Sequence, residues 1–378
     1  MTDTDQRAGF AIRPIVVNKV VAYASLAAPQ SVRRTILSDA VPVVICVPAR
    51  NEERALPALL HALSLLKTTF AVPEVCIYLD GCDDGSEALL RHAASKTRFP
   101  LSVMTGEARG EANAGAARRA AVAMGLTRLG ERDGYLFITD ADTTPRRDWI
   151  EAGQAALAQA DVVAGRIVRR QADADPTQSR IEQYYDRLHL YRRLLDPVPW
   201  EAQDTHHFSG GANMAVRASV YQRIGGFRPL VTGEDATFLD DAARAGFRVR
   251  RDGSMMVDTS SRRIGRVAGG LAGALRALDA GAEPLVPHPR GAAWQWQAQA
   301  AAKDAFNSIK DADVRAALGK RLGLSADHVL GVARDCRNAE AFAMRVVPPF
   351  AGKLDMISLA QAEDALIALQ TEPCEAAA

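Results

Sequence analysis

Four short apolar runs, separated by stretches with helical spacing, constrain the fold more than any other feature of the chain. Val43-Val44-Ile45-Cys46-Val47 is continuous and is stopped by Pro48, as in a strand buried on both faces. Glu74–Leu79, Leu101–Met104 and Tyr135–Ile138 repeat the pattern. Between them, Ala55, Leu56, Leu59, Leu60, Leu63 and Leu66 recur at helical spacing. Gly85–Ala94 opens a second helix with Ser86 as N-cap, and Asn113–Leu129 is a long Ala-rich third. Strand–helix alternation with short links predicts an α/β domain on a largely parallel sheet. In such sheets ligands bind outside the carboxyl ends of the strands. That rule gathers three polar loops: Pro48–Glu53, Asp80–Ser86 and Thr139–Thr143.

After Trp149 the pattern continues as a helix, a strand at Val162–Gly165, a helical Ile181–Leu195 and a Gly-rich Phe208–Val216. Helices over Arg217–Arg223 and Gly233–Arg244 follow, then a turn into a strand at Gly246–Val249. From about Gly265 the composition shifts to Ala, Gly and Leu with helical periodicity. The expected organisation is an extension over 1–40 packed on the core, an α/β domain over 41–264 and a helical subdomain over 265–378. A chain of 378 residues can bury cores of that size. Its formal charge of +1 provides no field for nucleic acid. The five cysteines are scattered without C-x-x-C spacing, which suits a reducing cytosol rather than a disulfide or zinc framework. No apolar run approaches the roughly 18 residues of a membrane span. The expectation is a cytoplasmic protein without a transmembrane span, open to peripheral contact at the inner membrane face.

The candidate chemistry lies in the loops. Asp140 and Asp142 stand one residue apart at the end of the fourth run. Two nearby carboxylates repel unless something positive lies between them; a divalent cation carrying phosphate is one answer, and a solvated acidic turn is the other. Arg50 could meet a phosphate and Glu52 a ribose or base edge, while Asn51 could equally cap the next helix. Asp80 could accept from a flat heterocycle or belong to a tight Asp/Gly turn. Arg118 or Arg119 could reach a diphosphate or lie on a solvated helix face. Ser209-Gly210-Gly211-Ala212-Asn213 offers backbone amides to a sugar or acceptor, or is simply a glycine turn. Glu234 and Asp235 begin a helix, where acids complement the dipole or take a proton from an attacking hydroxyl. His206 and His207 are adjacent and so face opposite ways if extended. Trp294 and Trp296 read as packing in the tail. Neither G-x-G-x-x-G nor G-x-x-x-x-G-K-[ST] follows a strand.

In order, these loops resemble the family 2 glycosyltransferases of the GT-A fold, over roughly residues 41–263. The residues carrying the resemblance are Val-Pro-Ala-Arg-Asn-Glu-Glu (47–53), Leu-Asp-Gly-Cys-Asp-Asp-Gly-Ser (79–86), Gly-Ala-Ala-Arg-Arg (115–119) and Thr-Asp-Ala-Asp-Thr (139–143). Gly-Gly-Ala-Asn-Met-Ala-Val-Arg (210–217), Ile-Gly-Gly-Phe (224–227) and Gly-Glu-Asp (233–235) continue it. The resemblance implies a mixed, mainly parallel Rossmann-like sheet and a nucleotide-diphospho-sugar donor. It implies base and ribose contacts from Pro48, Arg50, Glu52 and Asp80, and a Mg²⁺ or Mn²⁺ and diphosphate site at Asp140 and Asp142. Arg118, Gly211, Asn213 and Arg263 are the expected further donor contacts. Asp235 is the expected base with Glu234 beside it, and inversion is the expected outcome. The acceptor would be a hydroxyl on a glycan, a lipid-linked sugar or a small molecule. A retaining transferase and a nucleotide-sugar-binding protein without turnover are the alternatives. Three features depart from the family pattern: Gly81-Cys82 in the second loop, Ser260-Ser261-Arg262-Arg263 where a metal-binding histidine is common, and the absence of Gln-x-x-Arg-Trp.

Overall fold

The computed structural model describes residues 41–69, 72–107, 112–170, 175–263 and 271–371. The expected extension over 1–40 lies outside them, as does Cys374. The first half alternates as the apolar runs require: β1 (Val43–Ala49), α1 (Leu56–Ser64), β2 (Glu74–Asp80), α2 (Ser86–Ala93), β3 (Leu101–Gly106), α3 (Ala114–Leu129) and β4 (Tyr135–Ile138). Then come β5 (Thr143–Pro145), α4 (Trp149–Leu157), β6 (Val162–Arg169), α5 (Pro176–Leu195), β7 (Met214–Arg217), α6 (Ala218–Ile224), α7 (Glu234–Arg244) and β8 (Val249–Thr259). The strands form one sheet in the order β3-β2-β1-β4-β7-β6-β8-β5. From β3 to β4 every pairing is parallel. β7 runs antiparallel to both β4 and β6, β6 pairs parallel with β8, and β5 closes the edge antiparallel. The sheet is therefore mixed and mainly parallel, as expected.

Alternation along each strand builds two cores. Val43, Ile45, Val47 and Ala49 of β1 face one side, with Ile77, Phe137 and Trp149. Val44 and Cys46 face the other, against Val122 and Met124 of α3 and Phe238 of α7. A Cβ on Gly125 would lie 2.6 Å from Cys46 Sγ, so glycine lets α3 lie close against β1. The chain leaves β1 towards β2 on one side and reaches β4 on the other, which opens a crevice at the strand ends between them.

The tail comprises α8 (Leu271–Asp279), β9 (Leu285–Pro287), α9 (Pro289–Phe306), α10 (Ala312–Leu322), α11 (Ala326–Arg334), α12 (Ala339–Val346), β10 (Met356–Ser358) and α13 (Leu359–Thr371). It is mostly helical, as the periodicity predicts, and Phe342, Val329 and Ala302 anchor its core. The antiparallel β9–β10 ribbon was not expected; strands of three residues are too short to show a period. Trp294 stacks edge-on to Phe350 and Trp296 joins the cluster around Tyr184, so both pack the tail as read. α5 starts five residues before Ile181, because Asp175 caps it by accepting from the Gln178 amide and Pro176 occupies its first turn.

Candidate active site

The loops after β1 and β2 are laced together. The Asn51 amide donates to Cys82 Sγ (3.3 Å), and the Asp83 amide donates to Asn51 Oδ1 (3.0 Å). The Glu53 amide donates to Asp84 Oδ2 (3.0 Å), and the Gly85 amide returns a bond to Glu53 Oε2 (2.7 Å). Asn51 adopts φ 55°, a left-handed conformation that asparagine tolerates better than most side chains. It therefore clamps the second loop instead of capping α1, whose N-cap is Ala55. Ser86 likewise is not a cap. It is the first residue of α2, and its hydroxyl accepts from the Glu52 amide (2.9 Å). Cys82, a departure from the family pattern, has a structural place here, with its thiol directed to the Ala49 carbonyl (3.6 Å).

These loops form one wall of a cleft of about 250 Å³, lined by Pro48, Arg50, Glu52, Asp80, Arg118, Asp140, Asp142 and Arg262 among others. Arg50 pairs with Asp80 at 3.3 Å. Arg118, on the first turns of α3, is buried and donates to three groups: Asp140 Oδ1 (2.9 Å), Glu234 Oε1 (3.0 Å) and the Gly211 carbonyl (3.0 Å). Burial alone would lower its pKa, yet Asp140, Glu234 and Asp235 hold it above its ordinary value. Burial raises the Glu234 carboxyl, against the pull of Arg118. Asp235, in the first turn of α7, accepts from the Gly211 amide at 2.8 Å. One guanidinium thus ties the acid after β4 to the acid pair at the head of α7.

Opposite, Arg262 grips Glu52 with both forks (2.6 and 2.5 Å) and reaches Asp142 at 3.4 Å. Burial pushes the Asp142 carboxyl up to about 6; Arg262 opposes the rise, and Asp140 and Glu52 add to it. The first loop, the two acids after β4 and an arginine beyond β8 therefore meet in a single charged crevice.

The family model for glycosyl transferase family 2 matches residues 44–225. The chain carries a family 2 glycosyltransferase domain. The match includes the loops after β1, β2 and β4 and the start of α3. It ends before Glu234, Asp235 and Arg262, whose place in the site rests on geometry. Similar solved structures include TarS residues 1–349 of S. aureus in complex with UDP-GlcNAc, at 14% identity and TM-score 0.47, covering 84% of this chain and 97% of that one. Another is the mannosyltransferase PcManGT of Pyrobaculum calidifontis in complex with GDP-Man and Mn²⁺, at 17% identity and TM-score 0.44, covering 88% and 86%. No curated protein matches the chain.

Within the glycosyltransferase, two expected donor contacts stand elsewhere. Asn213 is fully buried, and its side chain is consumed by the fold: Oδ1 accepts from Trp149 Nε1 (2.7 Å), and Nδ2 donates to the carbonyls of Arg166 and Met255 (2.9 and 2.8 Å). Arg263 pairs with Asp279 (2.9 Å) and Asp175 (3.6 Å), and its neighbour Arg262 is the one that enters the cleft. The expectation named Arg263; one residue of register at the end of β8 separates it from Arg262. Gly211 gives its amide to Asp235 and its carbonyl to Arg118, and a Cβ there would lie 2.2 Å from Arg118 Cζ. His207 pairs with Asp186 (2.8 Å), while buried His206 has its pKa pushed down to about 3, chiefly by burial.

Asp140 and Asp142 are the residues that would hold a divalent cation. Among the described residues no three His, Cys, Asp or Glu side chains converge as a metal site. Mg²⁺ is commonly held by one or two carboxylates together with substrate phosphates, so the pair fits such an ion when a diphosphate shares it. Among the described residues no helix is long and apolar enough to cross a membrane.

Proposed function

We propose that the enzyme transfers a sugar from a nucleoside-diphosphate donor to an acceptor hydroxyl, with Asp235 as base and inversion at the anomeric carbon. The Arg118 bridge carries this reading, because it joins Asp140 of the cleft to Glu234, the neighbour of Asp235. Pro48, Arg50, Glu52 and Asp80 line the end where the nucleoside would lie. Asp140, Asp142 and Arg262 face the diphosphate. A cation shared by Asp140, Asp142 and the diphosphate would offset the charge that develops on the leaving group. Arg262 is placed to supply positive charge on the same side. The Gly211 amide orients Asp235, which takes the acceptor proton as the acceptor oxygen attacks. The acceptor is a hydroxyl compound of the glycan, lipid-linked or small-molecule kind. The domain limits 41–264 and 265–378 belong to the same proposal.

A panel of UDP-, GDP- and dTDP-sugars with and without Mn²⁺, read by thermal shift and by transfer, tests the donor. Asp235→Asn should keep the donor-induced shift and lose transfer by about 10²-fold or more. Equal turnover in the two proteins would remove Asp235 as the base, and no shift with any donor would sink the reading.

A further inference from the structure

A second charged cavity, apart from the donor cleft, lies where the C-terminal turn of α5, the start of β8 and the helices α7, α9 and α12 meet. Its volume is about 70 Å³, room for a small tetrahedral ion. Arg192 and Arg193 enter from α5 and Arg251 from β8, and Lys303 of α9 lines the same space. The Nε atoms of Arg192, Arg193 and Arg251 are all buried without a hydrogen-bond partner among the described residues. The acids beside them are occupied. Asp196 accepts from Lys303 at 2.6 Å, and Glu201 accepts from the Arg251 backbone amide at 2.8 Å, leaving Arg193 Nε 3.6 Å away. Asp240, also in the lining, is solvent-exposed. Glu340, half-buried, is the fourth acid of the lining, so four cations face four carboxylates, of which Asp240 and Glu340 lie towards solvent and neither takes up an arginine Nε. Burial and mutual repulsion push Arg193 and Arg251 down to about 10, against the pull of Glu201 on both.

Crowded guanidiniums cost stability when buried without partners, and their planar forks match phosphate oxygens. We propose that this cavity binds a tetrahedral oxyanion of the phosphate class, held by Arg192, Arg193 and Arg251. Free phosphate and the phosphoryl end of a monoester share that chemistry. The site is separate from the donor cleft: Arg251 lies near the start of β8 and Arg262 beyond its far end, and the β6 partners of Arg251 and Thr259, Ala164 and Arg169, are already roughly 17 Å apart along the sheet. α7 borders the cavity through Leu239 and Ala243 and carries Asp235 in its first turn.

The test is a melting titration of the full chain with inorganic phosphate, and in a second arm with glycerol 3-phosphate, against sodium chloride at equal ionic strength. Phosphate should raise Tm saturably by about 2 °C or more. Arg192→Lys, which keeps the charge and loses the fork, should weaken that binding at least about tenfold. Arg262→Ala, in the donor cleft, should leave it unchanged. Tighter binding of the monoester would support the site and identify the phosphoryl end as its ligand. No rise beyond that with chloride would overturn the proposal, as would an effect lost in Arg262→Ala and kept in Arg192→Lys. If Arg192→Lys fails to fold, crystals of the unaltered protein soaked in tungstate decide: density between Arg192 and Arg251 supports the site, and its absence refutes it.

Discussion

Replacing Asp142 by asparagine should make the protein more stable and a poorer enzyme. The Asp142 carboxyl sits at about 6 in the folded chain, well above the ordinary aspartate value of 3.8, mainly because it is buried, and its side chain is only 18% exposed. The folded state therefore holds this proton more tightly than the unfolded state. Stability from the protonated form is present below about pH 4 and is lost as pH rises through about 6. That difference between the folded and unfolded carboxyl corresponds to roughly 3 kcal/mol. Asparagine has the shape of the neutral acid and leaves Arg262 gripping Glu52. Asp142→Asn should thus gain up to about 3 kcal/mol at pH 7.5, with the gain fading towards pH 4. Urea unfolding of both proteins at pH 7.5, 6 and 4 measures this directly. A variant no more stable than the parent at pH 7.5, or a gain independent of pH, would refute the reasoning. Transfer should fall in the same variant, because the buried charge is retained for a cation shared with the donor's diphosphate, which a neutral asparagine would hold poorly.

Asn213→Ala removes an acceptor from Trp149 Nε1 and a donor to two buried carbonyls, so unfolding should become easier by roughly 2–4 kcal/mol. Donor Kd in the folded variant should not change; a weakened Kd at unchanged stability would restore Asn213 as a donor contact. Gly211→Ala sets a methyl against a guanidinium pinned by three partners. Its stability should drop by about 1–3 kcal/mol and transfer should fall with it, and a fully active variant would show that the Arg118 bridge is dispensable.

Much of the site was legible because it lies at strand ends, where an apolar run stops and polar residues begin. Pro48, Glu52, Asp80, Asp140 and Asp142 all belong to that class, and the structure brings them to one cleft. Arg118 was legible only as one of two arginines. The helical phase of α3 decides between them, burying Arg118 in the site while Arg119 binds the carbonyls of Gly225 and Phe227. Arg263 was the expected contact where Arg262 stands, because no periodic pattern beyond β8 fixes which side chain faces the cleft. Asn213 looked like a ligand because polar residues in Gly-rich loops often are. Its role depends on Trp149, 64 residues earlier, which no local pattern reveals. The Arg192–Arg193–Arg251 cluster was invisible for the same reason, since β8 supplies the third arginine from far along the chain.

By itself the sequence determined the alternation of strands and helices, the parallel half of the sheet, the crevice loops and the family. Those follow from local periodicity and from residues close together in the chain. Only the tertiary structure decided which arginine meets which carboxylate, that Asn213 serves the core, and that three guanidiniums share a cavity. Side-chain pairing depends on distance in space and on the dielectric around each charge, and both arise only when remote segments pack together.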